Sequence, residues 1–313
     1  MCTAPQSIGE ASRIGNAFTV KCGVKMTPPT FKHPANNALV SAIIAVHNGA
    51  GTLQRCLDSI AAQDYGLRET IVIDGASTDG TREMLERNLR AGVVASYLSE
   101  PDSGVYSAWN KGIARARGRW MCFLGCDDAF HDPGALRALV QAGEADATGA
   151  RVVYGRINRV SASGALIETI GVPWAEARAA FLDGFNIPHP GTLHHRSVFE
   201  ERGAFDESYR IAGDYHLLLG ELAERPAAFV DRVVLDMGFG GLSSRPATIL
   251  LALREVARAR RARGLGDTPP RLRAALAFAR AGNVAHWLLG DRGYRHLADF
   301  YRRIHGRPKI WTV

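Results

Sequence analysis

Phe123-Leu124-Gly125-Cys126-Asp127-Asp128 closes an apolar run that begins at Trp120. A buried strand that stops on two adjacent carboxylates must deliver them to a polar rim, because an unpaired ionised carboxylate is not left inside a core. Alone, such a pair is more often a solvated loop after a strand. Its surroundings decide between a loop and a site.

Upstream the pattern is regular. Val40-Ser41-Ala42-Ile43-Ile44-Ala45-Val46 is a short β-branched run bounded by His47-Asn48-Gly49, as expected of a buried parallel strand and its turn. Leu53, Cys56, Leu57, Ile60 and Ala61 then recur at helical spacing. Thr70-Ile71-Val72-Ile73 predicts a second strand ending on Asp74, and Gly75 to Thr81 turns into a helix through Leu89, with Ser, Thr and Asp as capping residues. A third strand is expected around Val93 to Leu98, leading to Glu100-Pro101-Asp102-Ser103-Gly104. Val105, Ala108, Trp109, Gly112, Ile113 and Ala116 mark a third helix, which Gly118 stops before the strand that reaches Asp127-Asp128.

This alternation is the signature of a parallel sheet covered by helices, an α/β fold whose ligands gather at the carboxyl ends of the strands. Asn48, Asp74, Glu100 and Asp127-Asp128 all fall at such ends. One rim would therefore collect residues far apart in sequence.

After this the pattern changes. Val152 to Val160 and Ala165 to Ile170 flank Ser161-Ala162-Ser163-Gly164 and read as a hairpin. A loop-rich stretch, Phe185 to Arg196, precedes Gly203-Ala204-Phe205-Asp206 and a helix from about Gly213 to Glu224. A further strand, Ala228 to Leu235, leads to Gly238-Phe239-Gly240-Gly241-Leu242-Ser243-Ser244, a flexible loop or a plain turn. The tail from Ala247 is helical, with Leu250, Leu253, Val256 and Ala257 as an apolar stripe and Arg254, Arg258, Arg260, Arg261 and Arg263 loading the other side.

With 313 residues, 46% of them hydrophobic, the chain has material for a large core. No run approaches the ~20 apolar residues that span a bilayer, and Met1 to Lys25 lacks the basic start and apolar block of a signal peptide. The expected location is the cytoplasm. Residues 1–37, interrupted by Pro28, Pro29 and Pro34, read as a flexible leader. Cys2, Cys22, Cys56, Cys122 and Cys126 lack paired or zinc-type spacing, so reduced, buried thiols are expected. The net charge of +7 suits nucleic acid, a membrane surface or an anionic substrate, and arginines crowd the C-terminal third.

Adjacent carboxylates at a strand end suit a hard divalent cation, Mg²⁺ or Mn²⁺, that keeps open positions for substrate phosphates. Neither a P-loop nor a strand-linked Gly-x-Gly-x-x-Gly is present, which removes the fingerprints of the P-loop nucleotidases and the dinucleotide dehydrogenases.

Val40 to Asn48, Val72 to Thr81, Asp102 to Gly112 and Phe123 to Asp128, in this order, resemble the motifs of family 2 glycosyltransferases with the GT-A fold, in their bacterial exopolysaccharide form related to colanic acid synthesis. The resemblance covers about residues 39–245. It implies a Rossmann-like, mostly parallel sheet with helices on both faces, acceptor-side hairpin and loops, and a helical C-terminal extension. It divides the chain into the leader, a glycosyltransferase domain over 38–245 (38–130 nucleotide-sugar-binding, 131–245 acceptor-side) and a basic helical extension over 246–313.

The resemblance also implies roles. Asp128 would bind the metal on a sugar diphosphate, Asp127 would lie beside the donor's ribose or sugar, and Asp74 would contact its base. On spacing alone Asp74 is equally a cap of the next helix. Asn48, Asn110, Lys111 and His189 would be donor-side residues, although Asn110 and Lys111 are also read as solvated helix positions and His189 as a structural histidine. His189-Pro190-Gly191-Thr192, Gly203 to Asp206 and Ala212 to Tyr215 resemble acceptor-side segments, which implies Asp214 as catalytic base, although on its own an Asp at a helix start reads as a cap. Two departures stand out: Gly125 where a further Asp or Asn is common, and Gly213-Asp214 where Glu-Asp is usual.

The implied activity is inverting, metal-dependent transfer of a sugar from a nucleotide-diphosphate sugar to a saccharide or lipid-linked acceptor in surface-polysaccharide synthesis. Two alternatives remain: a nucleotide-sugar nucleotidyltransferase, whose usual basic Gly-rich loop His47 to Gly51 lacks, and a non-enzymatic basic-tail scaffold. No nucleic-acid motif accompanies the tail, which is read as a solvated face or as a contact with the inner face of the cytoplasmic membrane.

Overall fold

The computed structural model describes residues 31, 36–161, 163–238, 246–304, 306, 309 and 312. Its first half follows the expected alternation: β1 (Asn36–Val46), α1 (Leu53–Ala61), β2 (Arg68–Asp74), α2 (Thr81–Arg90), β3 (Ser96–Ser99), α3 (Val105–Ile113) and β4 (Gly118–Gly125). Strands β3-β2-β1-β4 lie side by side and parallel. Val46 pairs with Asp74, Asp74 with Ser99 and Ala45 with Gly125, so the carboxyl ends come out in register. The third strand starts later than its apolar run. Val93 and Val94 donate their N–H groups to the Asn88 carbonyl at 3.0 and 3.2 Å and close α2 instead.

The remaining elements are β5 (Ala129–Phe130), α4 (Ala135–Ala145), β6 (Val152–Val160), β7 (Leu166–Ile170), α5 (Trp174–Asp183), β8 (Leu193–His195), α6 (Arg196–Arg202), α7 (Gly213–Leu222), β9 (Ala228–Gly238), α8 (Pro246–Ala262) and α9 (Pro270–Ile304). The expected hairpin is β6-β7, paired antiparallel. The supposed loop-rich stretch holds β8, which inserts antiparallel between β4 and β6, while β6 and β9 run parallel. The sheet order is β3-β2-β1-β4-β8-β6-β9-β5, with β7 on β6. It is a mixed sheet whose β3-β2-β1-β4 half is parallel.

Side chains alternate across it. Met121 and Phe123 of β4 enter a cluster with Trp109, Phe199, Phe205 and Leu217 on one face. Trp120, Cys122 and Leu124 enter a second with Ile44, Leu57, Leu136 and Val153 on the other. Cys56 and Cys122 are buried and free, and Cys126 is half-buried and free. Cys2 and Cys22 lie outside the described residues, as do most of the leader and the Gly240 to Ser244 loop.

The tail stripe needs correction. Leu250, Val256 and Ala257 are buried as expected, but so are Arg260 and Arg263. Helix α8 docks on α7 along a broader face than one stripe, and the Arg263 guanidinium covers Gly220, where an added Cβ would lie 2.7 Å from its Cζ. Only Arg254, Arg258 and Arg261 of the five point outward.

Candidate active site

Three groups of polar residues meet at or beside the carboxyl end of the sheet. The carboxylate pair comes first. Arg55 of α1 donates to the Asp127 carbonyl and holds the turn after β4. The Gly125 N–H donates to Asp128 Oδ2 at 2.7 Å. A Cβ at position 125 would sit 2.8 Å from Asp127 Oδ1 and 3.3 Å from Asp128 Oδ2. Glycine therefore stands where the related motif often has Asp or Asn, because both carboxylates fold back over that backbone.

Burial, and then the Asp127 charge, raise the Asp128 pKa to about 7. Two carboxylates in this position gain from a shared divalent cation. Among the described residues no group of three or more His, Cys, Asp or Glu forms a cage of its own. Two carboxylates are oxygen donors of the kind a hard divalent cation such as Mg²⁺ or Mn²⁺ takes, and in chemistry the residues present fit such an ion.

The second group lies at the ends of β1 and β2. Asp74 is fully buried; its carboxylate accepts the Ser99 hydroxyl at 2.6 Å and the Ser77 N–H at 3.2 Å, besides the Ser77 hydroxyl. It ties the turn after β2 to β3. Helix α2 begins after Gly80 without a side-chain cap; Asp79 instead accepts Thr81 N–H at 3.1 Å and Ala50 N–H at 3.0 Å and ties the turn before α2 to the turn after β1. Asn48, at φ +52°, accepts the Thr78 N–H at 2.9 Å through its side chain. Lys111 pairs with Glu100 at 2.9 Å and donates to the Pro101 carbonyl. Asn110 exchanges hydrogen bonds with the Phe205 backbone, both at 2.9 Å, and reaches Glu207. Asn110 reaches a ligand only by leaving its partners, whereas the Lys111 ammonium keeps one donor besides the two engaged.

The third group surrounds Asp214, in the first turn of α7, at the edge of a cavity of about 470 Å³ lined among others by Tyr106, Trp109, Asn186, His189 and Val256. Asn186 donates to Asp214 Oδ2 at 2.8 Å, and the Tyr106 hydroxyl lies 3.1 Å from Oδ1. Burial raises the Asp214 pKa to about 6, against hydrogen bonds that lower it. A carboxylate so poised takes a proton near neutrality. A Cβ at Gly213 would lie 2.8–2.9 Å from the Tyr106 ring, so glycine replaces the usual Glu because the ring fills that space.

His189 is buried between Trp109 and Phe123, with ring centroids 5.2 and 6.0 Å away. Burial lowers its pKa to about 3, so it is neutral. The end of β9 joins the groups: Met237 lines the Asp214 cavity, and a Cβ at Gly238 would lie 2.7 Å from Asp127 Oδ2.

Sequence reasoning passed over Tyr106, Asn186 and Glu255. Tyr106 lies inside a motif already quoted, and Glu255 is the lone acid of α8. Asn186 carries no local signal.

The strand-end carboxylate pair and the raised carboxylate beside a cavity stand on an α/β fold. Residues 41–201 match the family described as Glycosyl transferase family 2. The chain is 32% identical over 219 residues to a PGL/p-HBAD biosynthesis glycosyltransferase of Mycobacterium tuberculosis, covering 66% of this chain and 79% of that one. It therefore belongs to glycosyltransferase family 2 and is a glycosyltransferase. It is also 29% identical over 213 residues to the succinoglycan biosynthesis protein ExoO of Rhizobium meliloti, covering 63% of this chain and 59% of ExoO.

The fold is similar to that of a mannosyltransferase from Pyrobaculum calidifontis in complex with GDP-Man and Mn²⁺, with TM-score 0.57 and 20% identity over 89% of this chain and 82% of that one. It is similar also to S. aureus TarS 1–349 in complex with UDP-GlcNAc, with TM-score 0.56 and 17% identity over 70% of this chain. The chain spans just under two thirds of that TarS fragment, 66%. These likenesses establish the GT-A-like α/β fold.

Proposed function

We propose that this glycosyltransferase is inverting and metal-dependent, moving a sugar from a nucleotide-diphosphate donor to a saccharide or lipid-linked acceptor in surface-polysaccharide synthesis. The carrying observation is Asp214: a carboxylate with pKa raised to about 6, beside a cavity that β9 links to the Asp127-Asp128 pair.

Asp214 takes the acceptor hydroxyl proton as that oxygen attacks the anomeric carbon from the side opposite the diphosphate. The new carbon–oxygen bond forms as the bond to the diphosphate breaks, and the nucleoside diphosphate leaves with the electron pair. One base and one displacement invert the anomeric centre. Tyr106 and Asn186 orient the base. Asp128, with Asp127 beside the ribose or sugar, would hold Mg²⁺ or Mn²⁺, which offsets charge on the leaving diphosphate. Asp74 and Asn48 form the base-side end of the donor cleft, with Asn110, Lys111 and His189 flanking it.

In this reading residues 38–245 are the transferase domain, with the donor half at 38–130 and the acceptor half at 131–245, and 246–313 are an extension that brings the enzyme to the inner face of the cytoplasmic membrane. Solved relatives named with UDP-GlcNAc or GDP-Man and Mn²⁺ support the donor class, and ExoO's name supports the polysaccharide context.

The test is nucleoside-diphosphate release from a panel of UDP-, GDP- and dTDP-sugars, with and without Mn²⁺ or Mg²⁺, in the wild type, Asp128→Ala and Asp214→Asn. Both variants should lose at least ~100-fold in turnover. Full activity in either overturns the assignment, and pyrophosphate release from a nucleoside triphosphate would revive the nucleotidyltransferase.

A further inference from the structure

We propose that α9 is a helical hairpin whose tip, Trp287-Leu288-Leu289, inserts into the interface of an anionic lipid bilayer. The proposal deepens the membrane-face part of the function above and needs nothing from its chemistry.

Helix α9 is two helices. Gly290 breaks it at φ +67°, ψ 177°, and the halves fold back on each other. The Phe278 and Tyr301 rings lie 4.8 Å apart, the His286 and Tyr294 rings 5.4 Å apart, and Tyr294 passes over Gly282. Both ends of the hairpin are fixed to the body. Leu272 is fully buried against Gly184 beyond α5, and Arg302 faces Glu168 of β7 at 3.6 Å. From Leu272 to Leu289 the first arm runs about 25 Å at the helical rise. The turn thus lies about 25 Å along the arm from that anchor.

What it holds there is apolar and uncovered: Trp287 is 81% exposed, Leu288 66% and Leu289 53%. Three consecutive exposed large apolar side chains at a turn are not the scattered hydrophobics of an ordinary surface. Around them the hairpin is cationic. Residues 270–304 hold seven arginines against two aspartates. Of those aspartates, Asp299 is buried beneath Thr312, which it accepts at 2.8 and 2.6 Å, and Asp291 pairs with Arg295 at 2.8 Å and faces His286 at 3.7 Å. Arg292 and Arg295 flank the turn, exposed.

A Trp-Leu-Leu tip with Arg292 and Arg295 beside it, on an arginine-rich hairpin, is complementary to an anionic interface, where the indole sits at headgroup level and each basic side chain gains from the surface potential. Pairing with a second hairpin would set one arginine-rich surface against another. Among the described residues no helix is long and apolar enough to cross a membrane, so the hairpin lies on the bilayer or dips into it.

Its roots border the acceptor side. Glu168 also pairs at 2.8 Å with Arg159, and Arg159 and Val256 line the Asp214 cavity. A docked hairpin would thus keep that cavity close to the lipid surface, within reach of an acceptor hydroxyl carried on a membrane-held chain.

The experiment is co-sedimentation of the full chain with vesicles of phosphatidylcholine alone or with phosphatidylglycerol, compared with the triple variant Trp287→Ser, Leu288→Ser, Leu289→Ser. Binding to the anionic vesicles should be strong and salt-sensitive, and should fall at least ~10-fold in the triple variant and on phosphatidylcholine alone. A second readout is quenching of tryptophan emission by bromine-labelled acyl chains, expected in the wild type and reduced in Trp287→Phe. Donor turnover on a soluble acceptor should be unchanged in the triple variant, while Asp214→Asn should bind vesicles normally. Equal vesicle binding by wild type and triple variant overturns the proposal. So does a dimer that the triple variant dissociates without any loss of vesicle binding.

Discussion

The Glu255 carboxylate accepts the backbone N–H of Ala212 at 2.9 Å, across 43 residues of sequence. It also accepts those of Ile211 at 2.9 Å and Arg210 at 2.8 Å. Three successive amides leading into α7, whose first turn carries Asp214, are gathered by one buried side chain of α8. The Ile211 carbonyl in turn accepts the Tyr106 hydroxyl at 2.5 Å. Glu255→Ala leaves three donors without an acceptor, at about 1–3 kcal/mol each where water does not replace it. The expected result is a loss of about 3 kcal/mol or more in urea unfolding, with turnover reduced more than donor KM changes. Glu255→Gln, with one acceptor oxygen, should recover part of both.

The raised Asp214 predicts the acid limb of the pH profile. As a base it works ionised, so kcat/KM should rise about tenfold per pH unit below about 6 and level above it. The hydrogen bonds from Tyr106 and Asn186 favour the charged form, against the larger effect of burial. Tyr106→Phe and Asn186→Leu should therefore each move the limb to higher pH. A limb that stays in place in both variants would assign it to another group.

The same shift has a stability consequence of defined sign. Folded Asp214 keeps its proton up to about pH 6, whereas a free aspartate releases it near ~3.9. Its contribution to stability is whole below that lower value and is lost as pH rises to about 6, an upper limit of about 3 kcal/mol. Asp214→Asn carries no charge to bury. It should unfold later than the wild type at pH 8, by about 1 kcal/mol, and lose that advantage by pH 4, as thermal melts at the two pH values would show.

The rim at the carboxyl ends of β1, β2 and β4 was legible because parallel strands announce themselves. β1, β2 and β4 each carry a short, mostly apolar run that ends on a polar turn, and their register brings Asp74 and the Asp127-Asp128 turn out along one edge. Elements β5 and β8, of two and three residues, are too short to show a period, and β8 hides between prolines and histidines. What surrounds Asp214 is tertiary: Tyr106 reaches it across 108 residues and Asn186 across 28. The hairpin in α9 is hidden for the opposite reason, since one helical period runs through both arms and only Gly290 interrupts it.

Gly213 offers the sharpest packing test, since it stands where the related motif carries a larger residue. Alanine at a helix start would ordinarily gain up to about 1 kcal/mol over glycine. Here the added methyl would meet three atoms of the Tyr106 ring at 2.8–2.9 Å, and the ring is held by its hydroxyl at Ile211 and by Phe205 and Trp109 at 5.5 and 5.6 Å. A ring fixed on three sides does not yield a few tenths of an ångström cheaply, so overpacking of about 1–3 kcal/mol wins. Gly213→Ala should thus be destabilised and should also lose turnover, because the displaced ring carries the hydroxyl that faces Asp214. Tyr106→Leu opens the same space at its own cost in packing. In the double variant the two penalties should fall short of their sum by at least ~0.5 kcal/mol. Strict additivity in that cycle would mean that the ring does not exclude a side chain at 213.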